Sequence, residues 1–196
     1  MEKRIILASQ SPRRKELLAG LGLSFVVMVS NVDEDKAIEA YGSMTPVELV
    51  KLLSKVKAEA VAKDISDAIV IGADTIVVLA DEILGKPKHS DDARSMLKKL
   101  SGKTHLVISG ITVIDTTINE SYTSHVITEV DFKEISEQEI AGYLEKANYL
   151  DKAGAYAIQE HAALFVTGIR GCFFNVVGLP LFETCQILKK FDIKIF

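Results

Sequence analysis

The sequence predicts a mixed α/β fold: one elongated sheet with a largely antiparallel component, flanked by helices. Three observations predict it. Short apolar runs of strand length alternate with stretches that carry helix caps. Ala68 to Ala73 is a continuous apolar run, which reads as a fully buried strand. Thr104 to Ile114 and Tyr122 to Phe132 are long, strand-rich segments that follow one another.

In chain order, Ile5-Ile6-Leu7 forms a first strand that feeds the polar turn Ser9-Gln10-Ser11. A helix follows, with Ser11 as N-cap and Pro12 at the first helical position, both favoured there. Phe25 to Ser30 reads as a second strand, and the run Val32-Asp33-Glu34-Asp35 as an acidic, hydrated loop. Thr45-Pro46-Val47-Glu48 is a capping box that opens a helix to about Lys63. Ile76 to Leu79, a turn at Ala80-Asp81-Glu82 and Ile83-Leu84 read as a hairpin. Ser90 to Leu100 is a helix, with Gly102 as its left-handed terminator. A second capping box, Ser136-Glu137-Gln138-Glu139, opens a helix ending near Ala147. Ala163 to Thr167 and Cys172 to Val177 are predicted as short strands, and Pro180 to Phe191 as a final helix.

The 196 residues are 48% hydrophobic and 26% charged, without repeat, low-complexity tract or linker, which predicts a single globular domain over residues 1–196 with room for two lobes. A net charge of −4 and the absence of Trp, with 7% aromatic residues, disfavour a nucleic-acid-binding protein. Any anion site must be a local positive pocket on an acidic surface. Cys172 and Cys185 lack metal or disulfide spacing and read as ordinary semi-buried thiols. The N-terminal stretch has no signal-peptide pattern and no apolar run approaches 18 residues, so a cytoplasmic protein with no membrane span is expected.

Several residues are out of place on physical grounds. Arg13 and Arg14 fall in a first helical turn, where the dipole disfavours cations. Beside hydroxyls and free backbone N–H groups they make sense around a bound anion, although a solvated basic turn is an equal reading of these residues alone. Lys57 lies in line with Leu53, Val56 and Ala60 on the apolar stripe of its helix, and needs a phosphate or an acidic residue as partner. Lys55 and Glu59 form an ordinary surface pair on the opposite face. Asp74, in Gly72-Ala73-Asp74-Thr75, is expected at the carboxyl end of the buried strand, where α/β sheets bind ligands. A carboxylate there can orient a metal ion or take a proton from water. Lys86 stands in the rigid Gly85-Lys86-Pro87 turn, and His105 reads as a structural hydrogen-bonding residue.

The ordered set LASQSPRRKELL, VDE at 32–34, KA at 57–58, GADTIV from Gly72, GKP from Gly85, LSGKTH from Leu100, LDKAGAYAIQ from Leu150 and VVGLPL from Val176 resembles the Maf family over almost the whole chain. The resemblance implies an elongated α/β fold with a central cleft, similar to inosine triphosphate pyrophosphatases. It implies hydrolysis of the α–β phosphoanhydride of a nucleoside triphosphate, with a divalent cation (Mg²⁺ or Mn²⁺). The form of the motifs is similar to the subgroup acting on dTTP, UTP and related modified pyrimidine triphosphates. Carried over by motif, Asp74 matches the proton acceptor, Arg13, Thr75 and Gln159 the base-specificity positions, and Ser9, Glu34, Lys57 and Lys86 other cleft positions. Mg²⁺ chemistry suits Glu34 and Asp74 as metal ligands. A homodimer is compatible with the family. The alternative function is that of a nucleotide-binding regulator of septum formation whose hydrolysis is incidental. One departure stands out: after AIQ the subgroup continues with Gly, where this chain has Glu160-His161.

Overall fold

The structure is a computed structural model, and it describes residues 3–42 and 44–195, leaving aside the side chains of Ala40 and Tyr41. Among the described residues the strands are β1 (Arg4–Leu7), β2 (Phe25–Val27), β3 (Ala68–Leu79), β4 (Glu82–Leu84), β5 (Thr104–Asp115), β6 (Glu120–Phe132) and β7 (Val166–Arg170). They form one seven-stranded sheet in the order β2-β1-β3-β5-β6-β7, with β4 hydrogen-bonded to β3 as a branch. Helices α1 (Pro12–Ala19), α2 (Glu34–Tyr41), α3 (Pro46–Ala62), α4 (Ser90–Leu100), α5 (Glu137–Lys146), α6 (Phe173–Val177) and α7 (Leu181–Lys190) accompany it, so the fold is mixed α/β as expected. No helix among the described residues is long and apolar enough to cross a membrane.

The chain divides into two compact units. The first takes in the chain up to Asp74, Ser109–Val126 and everything from Gly178 on. Here β1 lies between β2 and β3 and runs parallel to both, in the register Ile5↔Phe25 and Ile5↔Ile69. Strand alternation sorts its core. Ile5, Leu7, Ile69, Ile71 and Ala73 meet Leu18 of α1 and Ile187 and Leu188 of α7. Ile6, Ala8, Ala68 and Val70 face Ala58 and Val61 of α3 instead. Gly72 continues that second face because α3 comes so close there. A Cβ on Gly72 would stand 2.3 Å from the Ser54 carbonyl oxygen and 2.8 Å from the Ala58 Cβ. The capping box is formed, with the Thr45 hydroxyl accepting from the Glu48 N–H and Glu48 accepting from the Thr45 N–H.

The second unit, Thr75–Ile108 with Ile127–Val177, holds the hairpin, α4, α5, β7 and α6. The hairpin pairs Val77↔Leu84 and Leu79↔Glu82 around Ala80, which takes a positive φ of 53°. Helix α4 carries Asp91 and Asp92 in its first turn and Lys98 and Lys99 in its last, matching the dipole at both ends, and Gly102 beyond it is left-handed at φ 67°. The Ser136–Glu139 capping box opens α5. His105, Phe132, Tyr143, Tyr156 and Phe165 form an aromatic cluster of mostly edge-to-face contacts.

Five expectations are corrected. The acidic run at 33–35 is a helix start rather than a hydrated loop. Asp33 caps α2 by accepting from the Lys36 N–H, and Glu34 and Asp35 lie at the positive end of its dipole. The separate runs 68–73 and 76–79 are one strand, β3, because Gly72 serves close helix contact without breaking the ladder. The predicted strand at 163–167 is shifted: His161–Phe165 is a 3₁₀ turn and the strand runs over Val166–Arg170. The predicted strand at 172–177 is helix α6, and the second strand stops at Val27 rather than Ser30.

Candidate active site

Asp74 belongs to the middle of β3, not to a strand end. The expectation missed the right strand. β1 pairs with β3 only as far as Leu7↔Ile71, with the Ala8 N–H closing on the Ile71 carbonyl at 2.8 Å. Past that point β3 continues without β1 until β4 pairs with it from Val77 to Leu79, so Asp74 stands beyond the carboxyl end of its parallel neighbour. Alternation from Ala68, Val70 and Gly72 sends its side chain to the α3 face.

Lys57 of α3 meets it there. Its Nζ donates to Asp74 Oδ1 at 2.6 Å and lies 3.0 Å from Glu34 Oε1 of α2. The Asp74 side chain is 11% exposed and that of Lys57 13%, whereas the Lys55 side chain is 51% exposed and pairs only with Glu59. The centre of the buried face is Val50, Leu53, Ser54, Ala58 and Val61, so Lys57 borders the apolar stripe instead of crossing it. Its stem covers apolar surface while its ammonium reaches two carboxylates.

Ser9, 8% exposed, follows β1. Its hydroxyl oxygen accepts from the Ser11 N–H and from an Arg14 Nη, both at 3.2 Å, leaving its own O–H to donate elsewhere. Ser11 is the N-cap of α1 but makes no side-chain cap bond, so Ser9 takes over part of that task. Arg14 Nε also donates to the Gly178 carbonyl at 2.8 Å. Burial lowers the Arg14 pKa, Asp74 raises it, Arg13 lowers it and Glu34 raises it, so four charges of this cluster act on one another. Arg13 is half-buried in the same first turn. Arg14 is the residue that sequence reasoning undervalued: the Arg13-Arg14 pair marked the turn but not which arginine binds inward.

The other predicted residues belong to the second unit. Thr75 is half-buried in β3, and Lys86 is exposed in the turn between β4 and α4. Gln159 is exposed after the Ala153–Ala155 turn. Lys86 and Gln159 stand on segments that are tied together, since the Gly154 N–H donates to the Gly85 carbonyl at 3.0 Å. His105 is structural as read: buried, with Nε2 2.7 Å from the Tyr156 hydroxyl. Glu160 and Lys152 were not expected to be partners, yet Lys152, 3% exposed, lies 3.5 Å from Glu160. Cys172 and Cys185 are free and half-buried.

The donor set tests whether a divalent cation fits. Asp74 and Glu34 already converge on one cationic atom, and a hard cation such as Mg²⁺ takes one or two carboxylates plus phosphate oxygens and waters. No group of three or more His, Cys, Asp or Glu among the described residues could hold a metal alone. The pair therefore fits a cation whose remaining ligands come from a phosphate.

Comparison with known proteins establishes the family. The chain is 47% identical over 189 residues to the dTTP/UTP pyrophosphatase of Pelotomaculum thermopropionicum, covering 96% of this chain and 97% of that one. It is 48% identical over 189 residues to the protein of the same name from Alkaliphilus metalliredigens, covering 96% of each chain. It is 47% identical over 193 residues to that of Bacillus cereus, covering 98% of each. A solved structure, that of the Staphylococcus aureus Ham1 protein, is similar with a TM-score of 0.46 and 19% identity, covering 66% of this chain and 72% of that one. The family model described as Maf-like protein matches residues 4–191, and the chain belongs to that family.

Proposed function

We propose that this chain is a nucleoside triphosphate pyrophosphatase acting on dTTP and UTP and on related modified pyrimidine triphosphates. The observation that carries the reading is near-full-length identity of 47–48% to proteins named dTTP/UTP pyrophosphatase. The cluster around Asp74 supplies the chemistry. In this reading water attacks the α-phosphorus in line, and the bond from that phosphorus to the bridging oxygen breaks. Pyrophosphate leaves, and the proton of the attacking water passes to Asp74. Burial between β3 and α3 keeps that carboxylate fixed, and Lys57 orients it through the 2.6 Å hydrogen bond. Lys57, Arg13 and Arg14 with the Ser9 hydroxyl hold phosphate oxygens, cationic donors giving the stronger bonds. Lys86 contributes a further phosphate contact. A divalent cation held by Asp74 and Glu34 would supply neutralisation of phosphate charge.

Gln159 is the base-reading residue in this proposal, with Arg13 and Thr75 as the other specificity positions. Its amide offers an acceptor and a donor side by side, complementary to the N3–H and O4 of uracil and thymine. A flipped amide also fits cytosine, so Thr75 is assigned the task of holding one orientation. The partner is the triphosphate, with neither nucleic acid nor membrane in the reaction.

The test is steady-state turnover on a panel of nucleoside triphosphates with Mg²⁺, with Mn²⁺ and with EDTA, the products being separated. Pyrophosphate and monophosphate from dTTP and UTP, metal-dependent and well above CTP and the purines, are expected. Orthophosphate release, purine preference, or a single release event without turnover would overturn the proposal.

A further inference from the structure

The segment that carries Gln159 is held along most of its length from outside. The Gly154 N–H donates to Gly85, the Tyr143 hydroxyl donates to the Ala155 carbonyl at 3.0 Å, and the Tyr156 hydroxyl meets His105. Gly154 and Ala155 are successive left-handed residues, at φ 66° and 64°, so the chain reverses there. A Cβ on Gly154 would lie 3.2 Å from the Val77 side chain, so this reversal is packed close. Among the described residues these hydrogen bonds end at Tyr156, three residues short of Gln159, although Ala157 and Ile158 are still buried.

Lys152 closes the remaining gap. Its ammonium is buried and has three N–H donors to satisfy. Two of them donate to the Asn148 carbonyl and to Asp151 Oδ1 at 2.9 Å, and Glu160 Oε1 lies 3.5 Å from the ammonium as an ion-pair partner. The first two lie within four residues of Lys152 and stay on its own side of the reversal. Among the described residues, Glu160 is the partner that comes from the far side, and it is the residue next to Gln159. Its backbone is already turned by its own N–H to the Ala157 carbonyl and by the Ala163 N–H to its carbonyl.

We propose that the Lys152–Glu160 ion pair is a positioning clamp that holds Gln159 in place across the chain reversal and so sharpens base selectivity. The inference rests on the base-reading role proposed for Gln159. Glu160 touches no phosphate in this scheme; it acts through Gln159.

The experiment compares kcat/KM for UTP with kcat/KM for CTP in the full chain, for wild type, Glu160→Gln, Glu160→Gly and Gln159→Leu. The ratio of the two substrates is the readout, because a loss of folded protein scales both alike and cancels. The Glu160 carboxylate is 40% exposed, so the pair is an exposed-type interaction of modest strength, and Glu160→Gln should lower the UTP:CTP ratio about two- to fivefold. Glu160→Gly should lower it further, since glycine also frees the backbone. The wild-type ratio should fall as salt is raised while that of Glu160→Gln stays level. If Gln159→Leu collapses the ratio and neither Glu160 variant moves it, the clamp is wrong and the base-reading role stands. If Gln159→Leu leaves the ratio unchanged, the base-reading role fails and takes the clamp with it.

Discussion

His105 offers a stability prediction whose sign and size both come from its surroundings. It is 1% exposed, with Phe132 and Tyr156 edge-on at ring-centroid distances of 4.8 and 5.4 Å. Burial pushes its pKa from 6.5 down to about 4, with Asp131 pulling weakly the other way. The folded protein therefore holds a neutral imidazole where the unfolded chain would hold a charged one. Between pH 6.5 and about 4 the unfolded state binds the extra proton, so acid favours unfolding. The contribution is complete above pH 6.5, declines as pH falls, and is gone below about 4. A separation from 6.5 to about 4 corresponds to roughly 3 kcal/mol. Glutamine keeps a hydrogen-bonding group toward the Tyr156 hydroxyl without titrating, so His105→Gln removes this dependence. Urea unfolding of both proteins at pH 7.5 and pH 4.5 isolates it, because the other titrating groups cancel in the difference. The wild type should lose roughly 2–3 kcal/mol more than the variant between the two pH values. Parallel losses would refute the argument and mean that the folded imidazole takes up its proton as readily as the unfolded one.

The cluster around Asp74 yields two further expectations. Asp74→Asn keeps the shape and a hydrogen-bonding atom while deleting the charge, and should lower kcat for dTTP on the order of 10²-fold or more with the urea midpoint little changed. Near-normal turnover would remove Asp74 from the proton-accepting role. Lys57→Met keeps the apolar stem but leaves Asp74 and Glu34 facing each other, so the KM for UTP should rise several-fold and kcat should fall, whereas Lys55→Met should change neither. Equal effects at the two lysines, read from full Michaelis curves, would contradict the geometry.

Much of this site was legible because it rests on local rules. Lys57 was conspicuous because a cation at the edge of an apolar stripe requires a partner, and the alternation of β3 places Asp74 on the side where α3 lies. The capping boxes at Thr45 and Ser136 act within four residues and formed as read. What failed was decided elsewhere in the chain. Cys172 to Val177 is rich in β-prone residues, yet it becomes α6 because buried Thr128 accepts from the Cys172 N–H and donates to the Cys172 carbonyl. The Asn175 amide then donates to both the Val107 carbonyl and Thr128. No pattern within six residues announces bonds that span more than 40. Asp74 was misplaced for a related reason: the relevant strand end belongs to β1, nearly 70 residues earlier.

Under the proposed function, charge balance has to account for two carboxylates in a site for a polyanion. Arg13, Arg14 and Lys57 against Glu34 and Asp74 leave a net charge near +1, while a nucleoside triphosphate brings about −4 near neutral pH. Without a further cation Asp74 and Glu34 would repel the group they are meant to act on. Their convergence on a single positive atom suggests how the repulsion is avoided. Under the proposed function, paired carboxylates admit the triphosphate only together with added positive charge, which makes its metal complex the expected form of the substrate. Lys57 is then more than a phosphate contact. Before substrate arrives its ammonium keeps the two carboxylates from repelling each other, at the cost of one of the few cations the site has.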